Sequence, residues 1–275
     1  MASRARQQRA VERCVGRWRD DRAEERGDAV TAEEPLEIRL DGESVAVTMR
    51  TPCDDFDLVA GFMLSEGIVA EAAELGGLSY CPAATPPNEE NVIEAHLARG
   101  AAFDPAQLKR NFYASSSCGV CGKASIDAIR GKAPELHADF DVRAEVLYGL
   151  DAKMRQAQAV FDRTGSLHAA ALFGLSGDLC LLREDVGRHN AVDKVIGHYV
   201  RRGQRPPAPA VLMVSGRVGF EIVQKALMAG IGALAAVSAP SSLAVDMAAE
   251  AGMVLVGFLR GRGFNVYAGG ERVVA

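Results

Sequence analysis

The second half of the chain alternates short apolar runs with amphipathic segments, and this alternation restricts the possible folds more than any other feature. Five consecutive apolar residues, Ala210–Val214, are typical of a strand that is covered on both faces. From residue 142 onward, such runs alternate with segments whose apolar residues recur at helical spacing. This order predicts a three-layer α/β domain. The predicted strands are 167–173, 179–182, 210–214, 234–237, 253–259 and 264–267. The predicted helices are 146–161, 185–200, a helix that begins after Ser215, and 243–251. Asp185 and Ser215 are the predicted caps of the second and third helices.

The first part of the chain predicts a smaller α+β unit. Residues 33–48 alternate in polarity on both sides of Asp41-Gly42, which indicates a hairpin. Apolar residues at helical spacing predict a helix over 56–64, and 91–97 reads as a strand. Residues 1–30 are highly charged without a long apolar period, so we expect a mobile tail or a loose helix there.

Composition excludes several classes of protein. The formal net charge is -5, which argues against bulk nucleic-acid binding. The six cysteines are too few and too irregular for a disulfide scaffold of 275 residues. No secretory signal is visible, and no segment reaches the ~20 apolar residues that a membrane span needs. We therefore expect a cytoplasmic protein that binds neither nucleic acid nor membrane.

The strongest local motif is Cys118-Gly-Val-Cys121, set in a loop rich in Ser and Gly. The thiolate is the reactive form of cysteine, and backbone N–H groups of such a loop stabilise an anion. Lys123 adds positive charge nearby. The motif suits redox chemistry, sulfur chemistry or half of a zinc site.

The alternatives for this motif fit the sequence less well. A zinc site made of two close pairs needs a second C-x-x-C, which the sequence lacks, although His168 or His189 could complete one. A zinc-dependent deaminase places His-x-Glu before Pro-Cys-x-x-Cys, whereas here the cysteines come first and Ala169-Ala170 follows His168. A thioredoxin-like dithiol lacks its βαβ context. We expect no metal, and we expect His168 to be a core histidine with satisfied hydrogen bonds.

Three polar motifs follow predicted strands, and ligands in open α/β sheets bind beyond the carboxyl ends of strands. Residues 183–194 begin a helix with six functional side chains close together, including Arg188 and His189. Arg217 lies in a Gly-containing turn where a helix N-terminus can bind phosphate. The third motif consists of Phe258, Leu259, Arg260, Gly261, Arg262 and Gly263. The density of side chains in 183–194 favours a ligand site, whereas the other two motifs, each read alone, fit an ordinary capped turn or hairpin about equally well.

Taken together, these residues resemble the FdhD (formerly NarQ) family, the formate dehydrogenase accessory sulfurtransferases. The resemblance covers the chain from about residue 30 to its end, and no single motif is specific without the others. The motifs that carry it are Thr51-Pro-Cys-Asp54, Gly61-Phe-Met-Leu-Ser-Glu66-Gly67-Ile, the Ser-Ser-Cys-Gly-x-Cys-Gly loop, Gly165-x-x-His168, the segment 183–194, Ser215-Gly-Arg217 and Asn265-Val-Tyr267.

The resemblance implies a sulfur carrier. Such a protein takes persulfide sulfur from a cysteine desulfurase and delivers it to a molybdenum (or tungsten) bis-guanine-dinucleotide cofactor, its bound substrate, for formate dehydrogenase. The family's persulfide cysteine corresponds to Cys118, with Cys121 as the second thiol, and its cofactor-binding stretch corresponds to 258–263. We expect Arg188, His189 and Arg217 to line the same pocket. The family's larger domain has the cytidine deaminase fold without its zinc ligands, and its members are homodimers.

The chain is thus divided into a tail (1–30), a small α+β domain (31–113), a C-x-x-C loop and linker (114–141) and a cytidine-deaminase-like domain with a mixed sheet (142–275). Two rival functions come from other classes. One is a non-catalytic chaperone that shelters the cofactor for formate dehydrogenase. The other is a zinc-dependent nucleoside deaminase, which stoichiometric zinc would reveal.

Overall fold

The computed structural model describes residues 8–86, 88–101, 136 and 139–275. The strands, in chain order, are β1 (Ala10–Arg19), β2 (Arg22–Thr31), β3 (Glu34–Leu40), β4 (Glu43–Arg50), β5 (Leu75–Tyr80), β6 (Val92–Leu97), β7 (Val142–Arg143), β8 (His168–Gly174), β9 (Leu179–Asp185), β10 (Ala210–Val214), β11 (Ala233–Ala236), β12 (Val254–Arg260), β13 (Gly263–Ala268) and β14 (Val273–Val274). The helices are α1 (Asp55–Ser65), α2 (Ala144–Leu147), α3 (Leu150–Ala157), α4 (Ala159–Thr164), α5 (Arg188–Val200), α6 (Phe220–Met228) and α7 (Ser242–Glu250). Among these described helices, none is long and apolar enough to cross a membrane.

A six-stranded mixed sheet in the order β13-β12-β11-β10-β8-β9 organises the second half of the chain. Strands β10, β11 and β12 are parallel, and β13, β8 and β9 pair antiparallel with their neighbours. The predicted strand 210–214 is confirmed, and all five of its residues are buried. The mixed α/β class is therefore confirmed.

Apolar side chains cover both faces of this sheet, as the period of two along a strand requires. Leu212 and Val214 face a cluster that includes residues of α5, α6 and α7. Val211 and Met213 face a second cluster with Leu150 and Met154 of α3. Residues of helices therefore pack against both faces of the sheet.

A four-stranded sheet in the order β4-β3-β6-β5 and helix α1 form the smaller α+β unit. The hairpin predicted around Asp41-Gly42 is confirmed by the pairing of β3 with β4. Buried residues of β3, β6 and α1 belong to the same apolar cluster as α5, so the two parts share one core. Helices α1 and α5 approach closely because Gly61 and Gly197 face each other's helix. A Cβ on either glycine would overlap the backbone of the facing helix.

A buried ion pair also joins the two parts. Lys194 Nζ in α5 lies 2.6 Å from Asp185 Oδ2 at the end of β9, and both side chains are at most 1% exposed. Asp185 Oδ2 accepts a hydrogen bond from Thr51 N (3.1 Å), and Lys194 donates one to Thr51 O (2.8 Å). The loop between β4 and α1 is thereby fixed to the end of β9.

The helix predicted over 146–161 is wrong in detail, because the segment forms three short helices. Gly149 has a φ of +84°, which ends α2 and begins α3. Gln158 separates α3 from α4 with a non-helical backbone. The apolar residues therefore have helical spacing only within each piece.

The predicted mobile tail or loose helix at 1–30 is also wrong where the structure describes it. Strands β1 and β2 form an antiparallel hairpin that pairs ten residues with ten. Its turn is Asp20-Asp21, both with positive φ, which matches the right-handed twist of a hairpin. Arg17 lies 3.7 Å from Glu24 across the strands, and Thr31 Oγ1 donates to Ser166 O (2.6 Å) at the base.

We predict that the substitution Gly27→Cys produces a disulfide with Cys14. These two residues face each other in the hairpin, where facing Cα atoms lie within ~5.5 Å, and no atom lies within 4 Å of a Cβ built on Gly27. Asp28→Cys is the matched control, because residue 28 faces Arg13 on the opposite side. Mass spectrometry of peptides from the oxidised variants identifies the bond. Equal cross-linking of Cys14 in both variants would contradict the hairpin.

We predict that Asp185→Asn lowers the free energy of unfolding by about 3–5 kcal/mol, because it leaves the Lys194 charge buried without its partner. The double variant Asp185→Asn/Lys194→Met removes that charge, so it should lose less stability than the single variant. Urea unfolding measures both. Asp178→Asn, at an exposed carboxylate, should change the stability by no more than about 0.5 kcal/mol. An Asp185→Asn protein as stable as the wild type would show that the pair is not needed.

Candidate functional site

The three motifs predicted as ligand sites lie along one edge of the six-stranded sheet. Because Val214 pairs with Ala170 and His168 pairs with Asp185, the amino end of β8 lies beside the carboxyl ends of β9 and β10. The parallel strands β11 and β12 end at the same edge, and β13 begins there. We call this the carboxyl edge. It brings together residues 185–189, 215–217 and 258–263.

Two histidines and an arginine meet at the β8–β10 part of the carboxyl edge. A Cβ built on Gly216 would lie 3.2 Å from His168 Nδ1 and 3.7 Å from Arg188 Cδ, so the backbone of Gly216 lies close to both side chains. Burial, and then the charges of Arg188, Lys225 and His168, lower the pKa of His189 to about 3. His189 is therefore neutral at pH 7.

His168 is not the satisfied core histidine that the sequence predicted. Its ring makes no hydrogen bond with any described residue, and it is half-buried against the turn that follows β10. Burial, and then the charge of Arg188, lower its pKa, while Asp185 opposes the shift. His168 thus joins the predicted set of Arg188, His189 and Arg217.

Helices α5 and α6 both begin at the carboxyl edge, each preceded by a glycine. Gly187 precedes α5 and Gly219 precedes α6, and neither helix start has a side-chain cap. The caps predicted for Asp185 and Ser215 are therefore wrong. Asp185 Oδ1 instead accepts from Gly187 N (2.8 Å), and Ser215 Oγ accepts from Ala169 N (2.9 Å). Both side chains hold neighbouring backbone, and the first N–H groups of the helices face the edge.

An aromatic side chain projects from the end of β12. Phe258 has a φ of +52° and is 51% exposed, and its N–H donates to Ser238 O (3.2 Å). A positive φ is a genuine outlier for a bulky residue and costs about 1–3 kcal/mol. The pairing of β12 with β13 shifts register between Gly257 and Arg260, which leaves Phe258 outside the ladder. The backbone strain and the register shift together present the ring to solvent.

The rest of the predicted stretch 258–263 divides by role. Leu259 is fully buried in the second apolar cluster, so its side chain packs there and cannot line a pocket. The backbone of Gly261 is held against the second helical layer, since its N–H donates to Asp151 Oδ2 (3.0 Å). The Arg262 guanidinium lies over the Tyr148 ring at 4.8 Å, while Arg260 and Gly263 are exposed.

The predicted catalytic pair, Cys118 and Cys121, lies outside the described residues. The four described cysteines are free thiols. Cys14 and Cys180 are exposed, and Cys53 has a φ of +103° and accepts a hydrogen bond from Arg9 Nη2 at 3.1 Å. Within the described part of the chain, no three His, Cys, Asp or Glu side chains are placed to hold a metal ion.

Comparison with known proteins agrees with these motifs. The family model described as "FdhD/NarQ family" matches residues 31–274. A relative from Streptomyces avermitilis named "Sulfur carrier protein FdhD" is 54% identical over 266 residues, covering 95% of this chain and 94% of that protein. A relative of the same name from Mycobacterium tuberculosis is 50% identical over 256 residues, covering 90% of this chain and 92% of its own.

A solved structure shows the same fold. It is described as a formate dehydrogenase accessory protein from Desulfotalea psychrophila, and it superposes with a TM-score of 0.76 over 96% of this chain and 99% of its own. At 22% sequence identity, this likeness concerns the fold alone. The family model and the two relatives each cover most of the chain, and by that measure the chain belongs to the FdhD/NarQ family.

Proposed function

We propose that the protein carries sulfur, as a persulfide on Cys118, from a cysteine desulfurase to a molybdenum (or tungsten) bis-guanine-dinucleotide cofactor that serves formate dehydrogenase. The observation that carries this proposal is the convergence of Phe258, Arg217, Arg188 and His189 at one sheet edge. An exposed aromatic ring suits a guanine base, and arginines with two helix N-termini suit phosphates. The cofactor is the substrate of this protein and not a resident group.

The sulfur transfer balances with the two thiols of the motif. The Cys118 thiolate attacks the outer sulfur of the desulfurase persulfide, whose S–S bond breaks as the desulfurase leaves as a thiolate. Cys121 then attacks the inner sulfur, held by Cys118, and hydrosulfide leaves for the metal. The two thiols are oxidised to a disulfide while the sulfane sulfur is reduced to sulfide. A cellular dithiol reductant must restore both thiols before the next cycle.

Other parts of the proposal rest on the family. We expect a homodimer in the cytoplasm, with a cysteine desulfurase and formate dehydrogenase as partners and without an intrinsic metal. The cytidine-deaminase-like assignment for 142–275 is supported by the mixed sheet between two helical layers. The acidic net charge of -5 supports a small anionic substrate in a local basic pocket and not a long nucleic acid.

We predict that Cys118→Ala abolishes persulfide formation. After treatment with a cysteine desulfurase and cysteine, mass spectrometry should find one added sulfur atom on the wild-type peptide that contains Cys118. Cys180→Ala is the matched control, because Cys180 is an exposed thiol on β9, and it should leave the yield unchanged. Added sulfur on Cys53 or Cys180 in place of the motif would overturn the assignment.

The same cysteines separate a carrier from a chaperone. In a strain that lacks this protein, the double variant Cys118→Ala/Cys121→Ala should fail to restore formate dehydrogenase activity. A chaperone that only shelters the cofactor would still restore it.

We predict that Phe258→Ala weakens the binding of guanosine diphosphate about tenfold, because stacking a base on an aromatic side chain contributes roughly 1–3 kcal/mol. Phe258→Tyr keeps the ring and should bind like the wild type. Val266→Ala, which removes an exposed apolar side chain from β13, is the control. Calorimetric titration measures all three, and equal affinity of Phe258→Ala and wild type would remove the ring from the pocket.

A further inference from the structure

The two histidines at the β8–β10 part of the carboxyl edge differ in environment. The ring of His168 is half-buried and lies against Gly216, with Arg188 and Asp185 as its charged neighbours. The ring of His189 is more deeply buried, and it faces Arg188, Lys225 and His168. Lys225 is itself paired with Asp193 and Glu66, so those carboxylates are occupied. Because His168 is the less buried of the two, a negative charge placed beside the rings protonates it more readily than His189.

His189 carries a buried polar atom that its surroundings leave unpaired. Its Nε2 has no hydrogen-bond partner among the described residues. A buried polar atom without a partner is unfavourable, so in a native protein it calls for a partner such as a ligand or an ordered water. The nitrogen lies at the edge where α5 and α6 begin, next to Arg188. These neighbours favour an anionic ligand.

The spacing of the strands separates the two histidines from the Phe258 ring by about the length of a nucleotide. Strand β8 is separated from β12 by β10 and β11, which is three strand spacings or roughly 14 Å. An extended guanosine diphosphate has a comparable length. A base on Phe258 therefore brings its phosphates toward Gly216 and the two histidines.

We propose that His168 and His189 bind the diphosphate of a guanine nucleotide, His189 as a neutral hydrogen-bond donor and His168 as a group that gains a proton when the diphosphate binds. This inference rests on the proposed function and adds a division of labour within its pocket. His168 is the group that gains the proton because it is the less buried of the two.

The sign of the pH dependence follows from the charges. In the free protein, burial and Arg188 lower the pKa of His168 below its ordinary value, so His168 is neutral at pH 7. A diphosphate beside the ring stabilises the imidazolium form and raises that pKa. Between the free and the bound pKa, binding takes up one proton, and affinity rises as pH falls, by up to about tenfold per pH unit.

Isothermal titration with guanosine diphosphate tests the proposal, using buffers of different ionisation enthalpy at pH 6 to 8. The wild type should take up more protons on binding than His168→Asn. The terminal phosphate of guanosine diphosphate also titrates in this range, and it contributes equally to both proteins, so the difference reports on His168. His189→Asn should bind about tenfold more weakly and still take up protons. His96→Asn, which alters an exposed histidine paired with Asp41, is the matched control and should behave as the wild type.

The outcomes separate this inference from the proposed function. Equal proton uptake by the wild type and by folded His168→Asn would overturn the role of His168 and leave the nucleotide pocket standing. Unchanged affinity of His189→Asn would overturn the role of His189 in the same way. A folded wild type that binds no guanosine diphosphate would remove the pocket and the inference together. Circular dichroism establishes that each variant is folded, and His168→Gln is the second variant at that position.

Discussion

The carboxyl edge depends on the buried carboxylate of Asp185. This group accepts hydrogen bonds from Thr51 N, Gly187 N and Asn190 Nδ2 while paired with Lys194. A buried charge is tolerated only when it is paired and hydrogen-bonded throughout, and Asp185 satisfies both conditions. Its contacts fix the turn that begins α5, and this turn sets the position of Arg188 and His189.

A second buried network positions the same helix from its other side. Lys225 of α6 donates to Asp193 Oδ2 (2.9 Å), Ser65 Oγ (2.9 Å) and Glu66 Oε1 (2.8 Å), which joins α6 to α5 and α1. Burial alone would lower the pKa of Lys225, but the carboxylates of Asp193 and Glu66 outweigh it and raise the pKa, so the lysine stays charged. That fixed charge contributes to keeping His189 neutral. The small unit therefore shapes the site electrostatically although it contributes no strand to the main sheet.

The sequence predicted the features that depend on local pattern. The continuous apolar run 210–214 predicted a strand covered on both sides. In the structure, Val211 and Met213 face one apolar cluster, and Leu212 and Val214 face the other. The strand-end motifs were also recognisable, because ligands gather where strands of such sheets end. Asp185 is the predicted cap of α5, but the residue before the helix is Gly187, and the Asp185 carboxylate instead accepts a hydrogen bond from Thr51 N. Thr51 is 134 residues away in the chain. No local pattern contains that contact.

Other features left no usable signal in the sequence. The β1–β2 hairpin is built from alternating charges with an Asp-Asp turn, and its pairs, such as Arg13 with Asp28, become visible only once the register is known. The positive φ of Phe258 comes from the register shift with β13, which the composition of the stretch does not reveal. The placement of His168 beside Gly216 follows from the pairing of β8 with β10.

The distribution of charge along the chain bears on the anion binding proposed for the carboxyl edge. The first 30 residues contain eight Arg and six acidic residues, so the remaining body carries a net charge of -7. The carboxyl edge nevertheless brings Arg188, Arg217 and Arg260 together with two helix N-termini. A long polyanion would extend beyond these arginines onto a body of net negative charge, whereas the dinucleotide proposed above would be confined to the edge. An acidic body around a basic edge would thus favour the small anionic ligand proposed above over a long one, and neutral His189 would add a hydrogen-bonding group without adding charge.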